Sequence, residues 1–116
     1  MMKFKGILPL AMLVLLLQAG ERYIHIAFPD GGEVLKGGSK VTILWSSLGV
    51  EGDVAILLFK GGEQYAVIAD RVPNSGNFQW DIPTALPDSG RYRLRICSLR
   101  DLRINDFSDR DFAIKK

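Results

Sequence analysis

The chain has 116 residues, 47% of them hydrophobic and 24% charged. This suits one globular domain and excludes a disordered chain. The formal charge is +2, but Lys3 and Lys5 lie in a leader-like segment; without them the 15 basic residues fall to thirteen, against 13 acidic ones. A neutral remainder gives no electrostatic basis for binding nucleic acid or an anionic membrane surface.

Residues 1–20 read as a secretory signal peptide. Lys3 and Lys5 form a positive start, and Ile7 to Leu17 is an unbroken apolar run. The run is short of the roughly 20 residues that span a bilayer as helix. Ala19 and Gly20 offer a cleavage point, although Leu17 and Gln18 are larger than an ideal site prefers. A cleaved export signal and an uncleaved N-terminal anchor both fit. After cleavage no integral membrane span is expected. No cysteine follows the run to carry a lipid, and the single Cys97 rules out an internal disulfide.

From Glu21 the hydrophobic period becomes two, the period of a strand with one face buried. Tyr23 to Phe28 alternates, with Ile24, Ile26 and Phe28 on one side, and Pro29-Asp30-Gly31-Gly32 ends it. Lys36-Gly37-Gly38-Ser39 is a turn into Lys40 to Ser46, where Val41, Ile43 and Trp45 share a face. Val54 to Lys60 is almost wholly apolar, as in a strand covered on both faces or one at a curled edge. Gly61-Gly62-Glu63 closes a hairpin into Tyr65 to Ala69. Pro73-Asn74-Ser75-Gly76 turns into the short strand Asn77 to Trp80, and Pro83, Pro87 and Gly90 mark a loop. Arg91 to Ser98 alternates strictly, with Tyr92, Leu94 and Ile96 inward and Arg91, Arg93 and Arg95 outward. A last strand is expected from about Asp109 to Lys115, with Phe112 and Ile114 inward. About seven short strands without a helix predict an all-β fold over residues 21–116, an immunoglobulin- or fibronectin-III-like antiparallel sandwich.

An ordered series of residues carries a family resemblance: Trp45, then Trp80-Asp81-Ile82-Pro83, then Phe107-Ser108-Asp109, with Gly90, Tyr92, Leu94 and Ile96 between. The chain resembles the Ser-Thr-rich glycosylphosphatidylinositol-anchored membrane protein family, whose domain is also the N-terminal (Kre/Knh-like) domain of yeast cell-wall-synthesis proteins. The likeness runs from about Ile24 to Ile114. It implies an immunoglobulin-like fold and a place in the cell wall or envelope, and it carries over no catalytic residue. The chain departs from the fungal pattern in having no Ser/Thr-rich stalk and no hydrophobic C-terminal tail. That favours a soluble or loosely associated envelope module over a lipid-anchored one.

The candidate ligand-binding residues are Trp80, Tyr65, Arg91, Arg93 and Arg95. Trp80 either fills the core, as Trp45 does by parity, or stacks on a sugar ring beside its loop. Tyr65 and Tyr23 are alternative platforms. The three arginines form a basic ridge that either meets an anionic surface or pairs with Asp109 and Asp111 on the next strand. Asp101, Asp106, Asp109 and Asp111 could ligate calcium, but Arg100, Arg103 and Arg110 interrupt them, so no metal or other cofactor is expected. His25 is the only histidine and has outward parity, and Ser46, Ser47, Ser75 and Ser108 have no general base in sight. Cys97 reads as a partly buried free thiol.

Taken together, these residues predict a non-enzymatic, secreted (extracellular or periplasmic) module that binds a cell-wall polymer or another envelope protein. The alternative is an inhibitor or chaperone-like partner that adds an edge strand to an exported client. Tyr65 to Ala69 would supply that edge, since it lacks the lysine or proline that blunts one.

Overall fold

The computed structural model describes residues 20–116, so the leader-like segment 1–19 lies outside the described residues. Nine strands follow in chain order: β1 (Tyr23–Phe28), β2 (Val34–Lys36), β3 (Lys40–Leu48), β4 (Asp53–Lys60), β5 (Glu63–Pro73), β6 (Asn77–Asp81), β7 (Ser89–Ser98), β8 (Asn105–Phe107) and β9 (Phe112–Lys115). The smaller sheet has the order β1-β3-β6. The larger has the order β2-β9-β7-β4-β5, with β8 also pairing β7. The two sheets close on one core, as an immunoglobulin-like sandwich requires.

Period-two patterning decides which side chains enter that core. Ile26, Ile43, Trp45, Tyr92, Leu94, Ile96 and Phe112 are all buried, joined by Val54, Ile56 and Leu58 from β4 and by Trp80 and Ile82 after β6. Fully burying one such aliphatic side chain stabilises the fold by roughly 1.5–3 kcal/mol. Among the described residues, every member of the core cluster lies between Ile24 and Ile114.

Buried polar groups are paired. The Trp45 indole donates to Asn74 Oδ1 at 2.8 Å, and the Asn74 amide donates in turn to Ser47 Oγ and to the Val50 carbonyl. The Tyr92 hydroxyl donates to the Pro87 carbonyl at 2.6 Å. This is the tyrosine corner of immunoglobulin-like domains, a bond from the start of the strand back to the chain a few residues earlier. Burial raises the Tyr92 phenol above its usual range, with Tyr65 and Asp88 adding to the effect. Leu94, two residues on, stands where antibody domains carry a core cysteine.

The structure corrects the strand reading in three places. A short strand, β2, lies within 33–36, where only a turn at Lys36 was expected, and it pairs with β9 in parallel. The larger sheet is therefore mixed, while the smaller is wholly antiparallel. The last strand, β9, begins at Phe112 rather than at about Asp109, and a separate short strand that was not expected, β8, precedes the break. The break has a physical cause. Ser108 Oγ donates to the Pro29 carbonyl at 2.9 Å and accepts the Leu94 N–H at 3.0 Å, while the Asp109 N–H donates to Asp30 Oδ1 at 2.8 Å. The Ser108 N–H makes a last backbone bond to the Leu94 carbonyl at 2.9 Å, and residues 109–110 then turn toward the chain leaving β1, where the Arg110 N–H donates to the Asp30 carbonyl. Nearby, the Ile26 N–H donates to Asp106 Oδ2 at 2.8 Å, which gives the open side of β1 a partner.

Candidate functional site

The outer face of the larger sheet holds the chemistry left over by the core. On β7, the residues alternating with Tyr92, Leu94 and Ile96 are Arg91, Arg93, Arg95 and Cys97. Across the ladders Phe59 pairs with Arg93, Leu57 with Arg95, and Arg95 with Phe107. Paired strand residues point to the same face, so arginines and apolar side chains lie interleaved. The β4–β5 hairpin closes one end of this face. Gly61 and Gly62 both have positive φ, 62° and 86°, the conformation of a two-residue type I′ turn that glycine adopts at no steric cost.

Here a groove of about 350 Å³ is lined by Phe59, Gly61, Gly62, Arg91, Arg93, Phe107 and Asp111. Phe59 and Phe107 meet edge to face with ring centroids 4.9 Å apart. The Arg95 guanidinium lies over the Phe107 ring at 5.6 Å, and its Nε donates to Asn105 Oδ1 at 3.2 Å. Arg93 Nε donates to Asp111 Oδ1 at 2.8 Å. Arg91 has no carboxylate partner among the described residues. Phe107 remains 38% exposed, which leaves part of its ring free.

The residues singled out in the sequence fall on both sides of this boundary. Trp80 is 5% exposed and belongs to the core, so it offers no platform for a sugar. It alternates inward with the exposed Gln79 and Asp81 on either side, and its cross-strand partner is Val41. Tyr65 is 48% exposed, but it stands off the groove, edge-on to Tyr92 at 6.5 Å with Lys60 over its ring at 5.7 Å. Arg91 and Arg93 line the groove, and Arg95 lies beside it. The expected Arg–Asp pairing holds for Arg93 with Asp111, whereas the Asp109 backbone is tied to Asp30. Two groove residues, Phe59 and Phe107, were not singled out as sites. Phe59 sits in an apolar run where alternation gives no parity, and Phe107 lies on a three-residue strand too short to show a period.

The four aspartates do not converge. Asp101 accepts from Arg103 through the guanidinium and the backbone, and these bonds, the guanidinium first, pull its carboxyl down to about 2. Asp106 is held by the Ile26 N–H and Asp111 by Arg93. Among the described residues no acids, histidine or cysteine gather as a metal site. His25 is exposed on β1 opposite Ser46. Cys97 is 4% exposed, more deeply buried than expected, between Ala55 on β4 and Asn105 on β8. The small Ala55 opposite leaves room for the thiol.

The edge strand expected at Tyr65 to Ala69 is β5, which borders the larger sheet. Its register against β4 slips three times, between Val54 and Ile56, Ile56 and Leu57, and Leu58 and Phe59. Such bulges bend an edge and spoil the flat ladder an added strand needs. The Tyr65 to Ala69 stretch, which has neither lysine nor proline, is thus guarded by backbone geometry, and β5 ends on Pro73.

The two packed sheets and their tyrosine corner define the class of protein, an immunoglobulin-like sandwich. Residues 28–114 match the family model described as the Kre9/KNH-like N-terminal Ig-like domain, and the chain belongs to that family. The family is linked to cell-wall synthesis, and immunoglobulin-like domains of this kind are generally non-catalytic. Comparison with curated proteins and with solved structures gives no match. Within the family frame, Ser108 of the Phe107-Ser108-Asp109 motif is the residue that joins β7 to the chain after β1. Trp80 and Ile82 of the Trp80-Asp81-Ile82-Pro83 motif fill the core. Trp80, Ile82 and Ser108 thus have structural roles, while Phe107 of the second motif faces the groove.

Proposed function

We propose that this chain is a secreted, envelope-associated binding module without catalytic activity, and that it recognises cell-wall polysaccharide through the outer face of its larger sheet. The observation that carries this reading is the groove beside the Gly61-Gly62 turn, where the partly exposed Phe59–Phe107 pair adjoins an arginine with no carboxylate partner among the described residues. Sugar rings present apolar C–H faces and hydroxyls, and an aromatic floor bordered by guanidinium donors can satisfy both. The leader-like start of the sequence and membership of a family linked to cell-wall synthesis support the location.

The experiment is retention of residues 21–116 on a cell-wall fraction, with Phe107→Ala as the variant. Phe107 is partly exposed, so the variant is expected to fold, and unchanged tryptophan fluorescence checks this. Expected is a loss of retention of at least about tenfold, near 1.4 kcal/mol. Equal retention by wild type and variant would move recognition off this face. Capture of one exported protein with no retention on any polymer would favour the edge-strand reading instead.

A further inference from the structure

We propose that the ligand in the groove is an acidic polysaccharide whose uronate carboxylate is taken by Arg91 while its pyranose ring packs against the edge-to-face pair Phe59 and Phe107. This deepens the wall-polymer reading above and rests on it. The charge arrangement points to the anion. Two arginines and one aspartate line the groove, and Asp111 is occupied by Arg93 at 2.8 Å. The net lining charge is positive, and the uncommitted charge is Arg91. Its position is shaped by the turn beside it. A Cβ at Gly61 would lie 3.6 Å from Arg91 Nη1, so the guanidinium packs along a stretch of chain that has no side chains. The Gly61 N–H donates to the Arg91 carbonyl at 2.9 Å, which fixes the turn to β7 at the residue that carries the charge.

A planar guanidinium presents paired donors that match a carboxylate in two parallel bonds. Phosphate would satisfy the same fork. The aromatic pair favours a sugar acid: a pyranose ring can cover the exposed part of Phe107 against the perpendicular Phe59 and leave its exocyclic carboxylate for the arginine of the same groove, whereas a polyol phosphate chain offers the aromatic rings little to cover. A neutral glycan would leave Arg91 without a counter-charge.

The test measures binding of residues 21–116 to polygalacturonate, to the same polymer with its carboxylates methyl-esterified, and to inorganic polyphosphate. Expected is binding to polygalacturonate that weakens about tenfold on esterification and about tenfold in Arg91→Ala, the size of one charge-assisted hydrogen-bonded contact. Arg71→Ala is the control: it removes the same charge from β5, where Arg71 is paired with Asp53. It should leave affinity unchanged, and an equal loss there would reduce the effect to general ionic attraction and overturn the proposal. Equal binding of the free and esterified polymers, still dependent on Phe107, would overturn the uronate assignment and leave the wall-polymer reading standing. Preference for polyphosphate would also overturn it. Failure to bind any polysaccharide or the wall fraction would remove both.

Discussion

The two faces of β7 are made from one alternating stretch of chain, and they are finished to different degrees. Inward, Tyr92, Leu94 and Ile96 are fully enclosed, and the Tyr92 hydroxyl has its acceptor. Outward, Arg93 is paired with Asp111, Arg95 is shared between Asn105 and Phe107, and Arg91 has no carboxylate partner among the described residues. The inner face meets every requirement of folding, and the outer face meets them only in part. Chemistry that folding does not use is where recognition is to be sought.

The largest expected effect tests the inner face. Leu94→Ala should destabilise the domain by about 2–5 kcal/mol, because the sandwich cannot collapse fully around the space left. Urea unfolding followed by tryptophan fluorescence measures it, since Trp45 and Trp80 both report on the core. A cost below about 1 kcal/mol would mean that the two sheets are less tightly closed than Leu94 indicates.

Next comes the junction between the faces. Ser108→Ala removes one hydroxyl that serves the Leu94 N–H and the Pro29 carbonyl together. Leaving buried polar groups unpaired costs about 1–3 kcal/mol, so the variant should be clearly less stable by the same urea assay. Ser108→Thr retains the hydroxyl and should recover part of the loss. No loss in Ser108→Ala would show that the break between β8 and β9 is held by the backbone alone.

Legibility in the sequence follows the same division. β7 alternates from Arg91 to Ile96, so its inward set was readable, and so was the pairing of its arginines with Asp109 and Asp111, of which Arg93–Asp111 forms. β2 has only three residues and pairs in parallel with a strand at the far end of the chain. A period of two cannot declare itself over so short a length. Trp80 was ambiguous because the loop begun by Pro83 lies three residues on, while the neighbour that fixes its direction, Val41, is distant in sequence. Phe59 was hidden for the opposite reason: β4 is apolar on both faces, and only its place between β7 and β5 shows which residues face out. The groove could not be read because its walls come from the β4–β5 turn, β7, β8 and the residue before β9. Only the closed sheet brings these together.

The outer face itself should respond weakly to loss of a pair. Arg93→Ala breaks the bond to Asp111, and both side chains are about half exposed. The expected cost is about 0–1 kcal/mol, well under that of Leu94→Ala two positions away. Equal costs at the two sites would erase the contrast between the faces. A small stability cost together with a changed affinity for wall polymer would sharpen it.

The smallest effect concerns Asp101, in the turn after β7. Its carboxyl is drawn to about 2 chiefly by the Arg103 guanidinium and then by the Arg103 backbone N–H. A carboxylate whose folded value lies below its unfolded value of about 3.9 adds stability above that unfolded value and loses it as pH falls toward 2. The pair is exposed, so the sensitive measurement is a carboxyl NMR titration rather than unfolding. Asp101 should titrate near 2, and Arg103→Ala should move its midpoint up toward the ordinary range without restoring it fully, because the backbone donor stays. An unmoved midpoint would mean that the guanidinium does not hold the charge. A moved one shows what a surface arginine looks like when its partner is built in two residues away, which is the condition that Arg91 lacks.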